Sequence, residues 1–425
     1  MYWSFGQRAG RAFKSSLWSV PLIAIPFALA ATRLLHWLDV RIEWNFLGFG
    51  VTGAQALLQA VSTATLSFMV FTFGSLLIAI QVASGTLTPR IIATTLLQNA
   101  VIRYTVGLFM FTWLFAIGVQ NRIDQKVYEL PLFVAGIFGV LSFAAFFYLI
   151  DHASRLLRPI TVLSNVGTSG LAVIRDVYPQ PSQGPAAAAG GRHKLGAPAR
   201  VVAHDGTSGI VLAVNVDRLR REAEAANGII EFVPQVGDFV AVDEPLFNLY
   251  GGAGAIDDRV LRAAVEFGSE RTMEQDPTFA FRIIVDIALK ALSPAINDPT
   301  TAVLAIDQLH RMLRLVGTRH LRTDEIADAA GDLRVVFRTP NWEDFVHLAF
   351  SEIRFYGGTN LQIVRRLRAM IENLVQTLPD HRHQQLLYQL ELLDRAVKKA
   401  FENPEELALA HVGDSQGLGG HAAST

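Results

Sequence analysis

Two regimes of hydrophobic patterning divide the chain near residue 150: long apolar runs almost free of charge come first, and shorter amphipathic runs follow. Between Glu43 and Arg90 lie 46 residues without a formal charge, and Ser15–Thr32, Tyr104–Asn121 and Leu130–Ile150 are also uncharged. A spanning helix needs about 20 predominantly apolar residues. The pattern predicts four transmembrane helices, near 17–37, 55–83, 102–120 and 130–150, so that 1–150 is a four-helix transmembrane domain. The first is interrupted by Pro21 and Pro26, with Arg33 and His36 near its end.

The second span is longer than crossing requires. From Gln55 to Val82 it would reach about 42 Å, against roughly 30 Å of hydrocarbon. At helical periodicity Gln55, Gln59, Ser62 and Thr63 share one face, Leu66, Val70, Phe73 and Leu77 follow along it, and Gln81 and Ser84 return to it. Polar ends around an apolar waist suit a pore with a dewetting constriction. Ordinary hydrogen bonding between neighbouring helices accounts for the same polar residues. On the fourth span Ala135 and Gly139, one turn apart, are a packing cue. No charge lies at mid-membrane, which disfavours a carboxylate-based proton pump.

Beyond residue 150 the pattern changes twice. Residues 151–178 read as a helical extension of the fourth span, and "PQPSQGPAAAAGGRHKLGAPAR" makes 179–198 a flexible linker or loop. Residues 199–252 then alternate in short β-like runs broken by Gly, Pro and Asp, which predicts a small β-barrel or sandwich module, with "VDRLRREAEAAN" as a short helix between strands. The cadence "VGDFVAVDEPLFNLYG" resembles a barrel-sandwich hybrid of the biotinyl or lipoyl type. It holds no lysine to be acylated, so a structural or interaction module is expected instead of a carrier. Residues 253–404 return to helical spacing as a cytoplasmic helical domain, and 405–425 read as a disordered tail. The fold class is thus a membrane α-helical region followed by a cytoplasmic α+β region.

Within the helical region, "ALSPAINDPTTAV" (291–303) concentrates prolines, hydroxyls and short polar side chains. Much of it is helix punctuation. Ser293-Pro294 stops one helix, and Asp298-Pro299 starts the next, repeating an Asp276-Pro277 start 22 residues earlier. That leaves Ser293 and Asn297 without a role in the sequence. "YGGTN" (356–360) reads as another stop and restart, with glycine as a left-handed cap and Asn360 opening the next helix. Glu270, Arg271, Glu274, Asp276, Arg282, Asp286, Ser293, Asn297 and Asp298 occupy one predicted helix and its flanking turns. They fit either a ligand or ion site at helix ends or a hydrogen-bonded interface.

The stretch "ERTMEQDPTFAFRIIVDIALKALSPAINDPTTA" (270–302), preceded by four membrane spans, resembles a widespread bacterial family of predicted membrane proteins defined only as a domain of unknown function. The resemblance implies this layout and a bacterial inner (cytoplasmic) membrane, and it brings no catalytic residues with it. The Ala/Gly-rich linker and the tail after about 404 fall outside it.

Composition agrees with a membrane protein, with only 18% charged residues against roughly a quarter in soluble domains. Residues 1–150 hold nine Lys/Arg against four Asp/Glu, and the remainder 28 against 34, so a net +5 half precedes a net −6 half. Acidic balance in the second half argues against nucleic acid as a partner. Arg8, Arg11, Lys14, Arg90, Arg103, Arg155 and Arg158 flank one side of the spans, whereas Arg41, Arg122 and Lys126 on the other are balanced by acids; both termini are therefore expected in the cytoplasm. With no cysteine, disulfides and thiolate chemistry are excluded. No phosphate loop, nucleophile elbow or dinucleotide fingerprint occurs, and neither Glu343/His347 nor His381/His383 matches a metal-site spacing, so no enzyme, metal or cofactor is expected. Two functions fit. One is a homo-oligomeric channel or transporter with a cytoplasmic vestibule or regulatory domain, its ion or small-molecule ligand unspecified. The other is a membrane-anchored sensor or scaffold without transport.

Overall fold

A computed structural model describes residues 19–42, 48–86, 99–123, 126–156, 158–182, 195–321 and 324–420. Arg8, Arg11, Lys14, Arg90, the side chain of Ser84 and the middle of the expected linker lie outside these residues. The chain divides into two compact units, 1–162 and 163–425.

Among the described residues of the first unit, four helices are long and apolar enough to cross a membrane: α1 (Ser19–Ile42), α2 (Val51–Thr86), α3 (Ala100–Gln120) and α4 (Glu129–Leu156). α1 runs unbroken through Pro26. α3 is central and packs against each of the others. Its Phe115, Ala116 and Val119 meet Ala28 of α1, Leu58 of α2 and Leu132 of α4 in one buried cluster. Gly139 allows α4 to approach α2, because a β-carbon there would lie 2.9 Å from a Val61 methyl. The hydroxyls of Thr112 and Ser142 bond across α3 and α4 at 3.0 Å. Asp39 accepts the Leu130 amide and Glu129 the Gly48 amide, both at 2.9 Å. Each carboxylate thus sits near a helix start, where the dipole favours an anion.

The helical extension expected over 151–178 is interrupted. α4 ends at Leu156, and Pro159 opens a separate helix, α5 (Pro159–Val177). Proline suits a first turn but cannot continue the bonding of a preceding helix.

In the second unit the expected β-barrel does not form; the strands make two open sheets. β1 (Arg200–Ala203), β2 (Gly209–Val214), β3 (Gly228–Phe232), β4 (Phe239–Val240) and β5 (Pro245–Gly251) come from the expected module, with helix α6 (Val216–Ala225) between β2 and β3. The rest come from the segment expected to be helical: β6 (Val265–Gly268), after the short α7 (Asp258–Arg262), then β7 (Glu325–Ala327) and β8 (Leu333–Val336). One sheet runs β1-β5-β3-β8-β7 and the other β4-β2-β6, so each keeps two edges. On its side away from β5, β3 pairs in parallel with β8 from a distant part of the chain and not with another strand of the expected module. Val211, Leu219, Ile230, Phe247, Leu249 and Val335 share the core of this region.

The remaining helices are α8 (Pro277–Ala291), α9 (Pro299–Gly317), α10 (Trp342–Gly357), α11 (Leu361–Thr377), α12 (His383–Ala400) and α13 (Pro404–Ala410). α8 is the innermost, with Phe281, Ile284, Val285, Ile287 and Ala288 fully buried. Burying each of the larger side chains contributes about 1.5–3 kcal/mol. Asp276, Asp298, Asn341 and Asn360 cap their helices with side-chain hydrogen bonds. Gly358 is right-handed at φ −64°, so the left-handed cap expected there is absent. The tail expected to be disordered is structured over its described part: α13 is followed by a turn to residue 420 that packs against α11 through Arg365 and Arg366.

Candidate functional site

On α2 the sequence-selected row lies on the outside of its own bundle. Ala54, Leu58, Thr65, Met69, Thr72 and Leu76 form the buried stripe. About 100° around the helix lie Gln55, Gln59, Leu66, Val70, Phe73, Leu77 and Gln81, all exposed, with Thr63 exposed beside them. Val70 and Leu77 are each 67% exposed. Ser62 is half-buried, and its hydroxyl has no hydrogen-bond partner among the described residues. α2 is 36 residues long, about 54 Å at helical rise.

The polar constellation around α8 separates into three places along a helix of about 22 Å. At its start, Asp276 is 4% exposed. Its Oδ1 accepts the Phe279 amide at 3.1 Å and the Thr278 hydroxyl, and its Oδ2 lies 4.0 Å from Arg271 Nε with no hydrogen-bond partner among the described residues. Burial pushes this carboxyl above its ordinary range, against the pull of Thr278 and of the Arg271 guanidinium. Arg271 donates from Nε and Nη2 to the carbonyl of Gly237, and Gln275 accepts the amide of Val214 at 3.0 Å. The segment before α8 is therefore a clasp between the sheets and the helices. Gly237 is at φ +94°, and a β-carbon there would fall 2.5 Å from Asp276 Oδ2. Tyr178 ends α5 edge-on to Phe345, and its buried hydroxyl also has no partner among the described residues. Burial raises its pKa, helped by the negative charges of Asp276 and Asp344.

Midway along α8, Arg282 bonds Asp286 at 2.7 Å and takes both carboxylate oxygens of Glu352 on α10. The paired guanidinium holds the Glu352 carboxyl below its ordinary range. After α8, Ser293 gives its hydroxyl to the Lys290 carbonyl at 2.7 Å. Asn297 takes the left-handed conformation at φ +48°, which asparagine tolerates better than most residues. This lets the Asp298 amide return to the Ala291 carbonyl at 2.8 Å, while Asp298 bonds the amide and hydroxyl of Thr301. Ser293 and Asn297 are thus explained by the turn they build. Glu270 is exposed and makes none of these contacts.

Sequence spacing did not point to Gly237, Tyr178, Gln275 or Glu352. Three lie outside the α8 segment and reach it only in the fold, whereas Gln275 sits inside the quoted motif and was available. Of the histidines at those spacings, His347 bonds Ser351, His383 bonds the Leu378 carbonyl, and His381 Nε2 lies 3.5 Å from the Ser182 hydroxyl, 199 positions away in sequence.

This combination of four apolar helices with the α8 clasp and turn falls within residues 14–373, which match the sequence profile of a family described as "Predicted membrane protein (DUF2254)". The chain belongs to the DUF2254 family. It is also 26% identical over 424 residues to an uncharacterized protein of Mycobacterium bovis and to one of Mycobacterium tuberculosis, covering 93% of this chain and 79% of each relative. No solved structure matches it. The DUF2254 match takes in the clasp, the Arg282 triad and the turn, and it stops within α11.

Proposed function

We propose that the protein is the subunit of a homo-oligomeric channel or transporter in the bacterial cytoplasmic membrane, both termini in the cytoplasm, with α2 lining the path. The observation that carries this reading is the row on α2. Its Gln55, Gln59, Thr63 and Gln81 ends and its Leu66–Leu77 waist are turned away from the chain's own bundle. A single chain leaves the waist of that row to lipid and its glutamines, about 33–39 Å apart along the helix, at the two edges of the hydrocarbon. Copies arranged with their α2 rows inward would give the glutamines water and make the waist a hydrophobic constriction. The second unit then serves as vestibule or gate, and the reading involves no catalysis. Ion flux through the purified protein in liposomes, under voltage and then tension, tests it. Val70→Ser and Phe73→Ser should raise the leak; a folded, inserted protein with no flux in any of the three forms would remove the channel reading.

The second reading, a membrane-anchored sensor, draws on a cleft of about 380 Å³ beside β4 and β5. Pro234, Phe239, Glu244 and Arg338 line it, with Arg338 paired to Asp238 at 3.1 Å. Such a mixed apolar and charged lining suits a small polar ligand. Charge reversal at Arg338 that abolishes a signalling output without altering permeability would favour this second reading.

A further inference from the structure

A cavity of about 230 Å³ lies among α2, α3 and α4 of the first unit. Buried Leu76, Ile102 and Leu149 form its depth, whereas Phe71 and Ile150 on its lining are about half-exposed. It therefore opens sideways from the bundle, toward the medium that surrounds a membrane protein. Phe71 and Phe146, edge-to-face at 5.5 Å, form an aromatic wall.

One polar group breaks this apolar lining. Thr72 is 5% exposed, and its hydroxyl has no hydrogen-bond partner among the described residues. Thr65, two turns earlier on the same stripe, returns its hydroxyl to the carbonyls of Val61 and Ser62. Thr72 makes no such bond. Leaving a buried donor unpaired costs about 1–3 kcal/mol. A lipid acyl chain would fill the space and leave that cost in place. The neighbouring hydroxyls of Ser75 and Ser154 donate to the carbonyls of Thr72 and Asp151, so they offer a guest lone pairs and no proton, and Thr72 is the donor left on this lining.

We propose that this crevice binds a bilayer-dissolved compound of quinone type, its flat ring against Phe71 and Phe146 and a ring carbonyl accepting the Thr72 hydroxyl. Lateral opening admits such a molecule from the hydrocarbon, and its apolar tail leaves by the same mouth. A ring against aromatic edges gains offset or edge-to-face contact in addition to area burial. The proposal concerns binding alone and does not depend on whether the protein conducts.

The test uses the full chain in lipid nanodiscs and a naphthoquinone carrying a short isoprenoid tail as the probe, with affinity read by quenching of tryptophan fluorescence. Thr72→Val removes the donor at constant shape and should weaken binding about tenfold, equivalent to about 1.4 kcal/mol; Thr72→Ser should restore it. Ala79→Phe, which fills the crevice without adding a tryptophan, should abolish binding, and Ala153→Phe on the facing helix does the same if the first variant is poorly folded. Equal affinity for wild type and Thr72→Val, or equal displacement of the probe by a phospholipid without a ring, would overturn the assignment in favour of acyl-chain occupancy. Absence of any saturable quenching in wild type overturns it outright.

Discussion

Arg271 donates to the carbonyl of Gly237 from both Nε and Nη2, at 2.8 and 2.5 Å, and so ties the loop before α8 to the turn before β4. Gly237 is buried, so removing the guanidinium leaves its carbonyl without that partner. Hydrogen bonds to charged groups are worth about 1.5–3 kcal/mol. Arg271→Ala should cost roughly 2 kcal/mol, a fall in Tm of about 4–8 °C for a unit of this size. Arg271→Lys keeps the charge but not the planar fork, and should recover less than half of the loss. Thermal unfolding followed by circular dichroism measures both; full rescue by lysine would mean that charge, not geometry, holds the clasp.

Asp276 gives a pH signature of the opposite kind to an ordinary surface carboxylate. Burial raises its folded-state pKa above the ordinary 3.8, so the folded chain holds the proton more tightly than the unfolded chain. That contribution to stability is complete below pH 3.8 and declines as pH rises through the folded value. Asp276→Asn keeps a capping oxygen for the Phe279 amide and removes the buried charge. The Tm of the variant relative to wild type should therefore be more favourable at pH 7.5 than at pH 4. A difference that stays constant across that range would show that Asp276 does not titrate there.

Glu352 should behave in the other direction. Its carboxyl is depressed by the Arg282 guanidinium, so its contribution is present above the ordinary 4.5 and is lost as pH falls through the folded value. The side chain is 45% exposed, which screens the pair. The expected loss for Glu352→Gln near neutrality is accordingly only about 0.5–1 kcal/mol. The loss should vanish in acid. A Tm deficit equally large at pH 3 would assign the effect to packing instead of charge.

The parts of this fold that were legible in sequence are those carried by continuous local pattern. Uncharged runs marked the four membrane helices, and the Asp-Pro pairs at 276–277 and 298–299 marked two helix starts. The sheet was misread because β7 and β8 are only three and four residues long, too short to show alternation, and β8 joins β3 from about a hundred residues away. Arg282 showed its i, i+4 partner Asp286, but Glu352, 70 positions away, belongs to another helix and left no local trace. The Gly-rich end of the chain read as disordered because its order comes from elsewhere, from arginines on α11.

Those arginines predict a role for residues 411–420. Arg365 is 1% exposed and donates to the carbonyls of Val412, Gly419 and Gly420. Asp414 in turn accepts the amides of Gln416, Gly417 and Gly419, which shapes the strap. Truncation after Ala410 should destabilise the protein by roughly 1.5–3 kcal/mol, because Arg365 loses the carbonyls that its guanidinium bonds. Arg365→Leu introduced into the truncated chain should recover part of that loss, since the charge goes with its partners. Truncation without effect on Tm would reduce the strap to a passive tail.

The orientation expected from the distribution of cations is open to direct measurement. Arg103, Arg155 and Arg158 lie at the ends of α3 and α4 that the charge rule assigns to the cytoplasm, whereas the sequence from the end of α3 to the start of α4 carries two cations, Arg122 and Lys126, and two acids, Asp124 and Glu129. Because the chain has no cysteine, one introduced at a chosen site is the only thiol present. Lys126 and Glu405 are both exposed, in the α3–α4 loop and on α13 respectively. In spheroplasts, Lys126→Cys should react with a membrane-impermeant maleimide at once, and Glu405→Cys only after lysis. The reverse pattern would invert the topology, placing the second unit outside the cell, where a cytoplasmic vestibule has no meaning. Reaction at both sites before lysis would mean that an even number of spans separates 126 from 405, whereas four membrane helices leave one, α4, between these positions and put them on opposite sides.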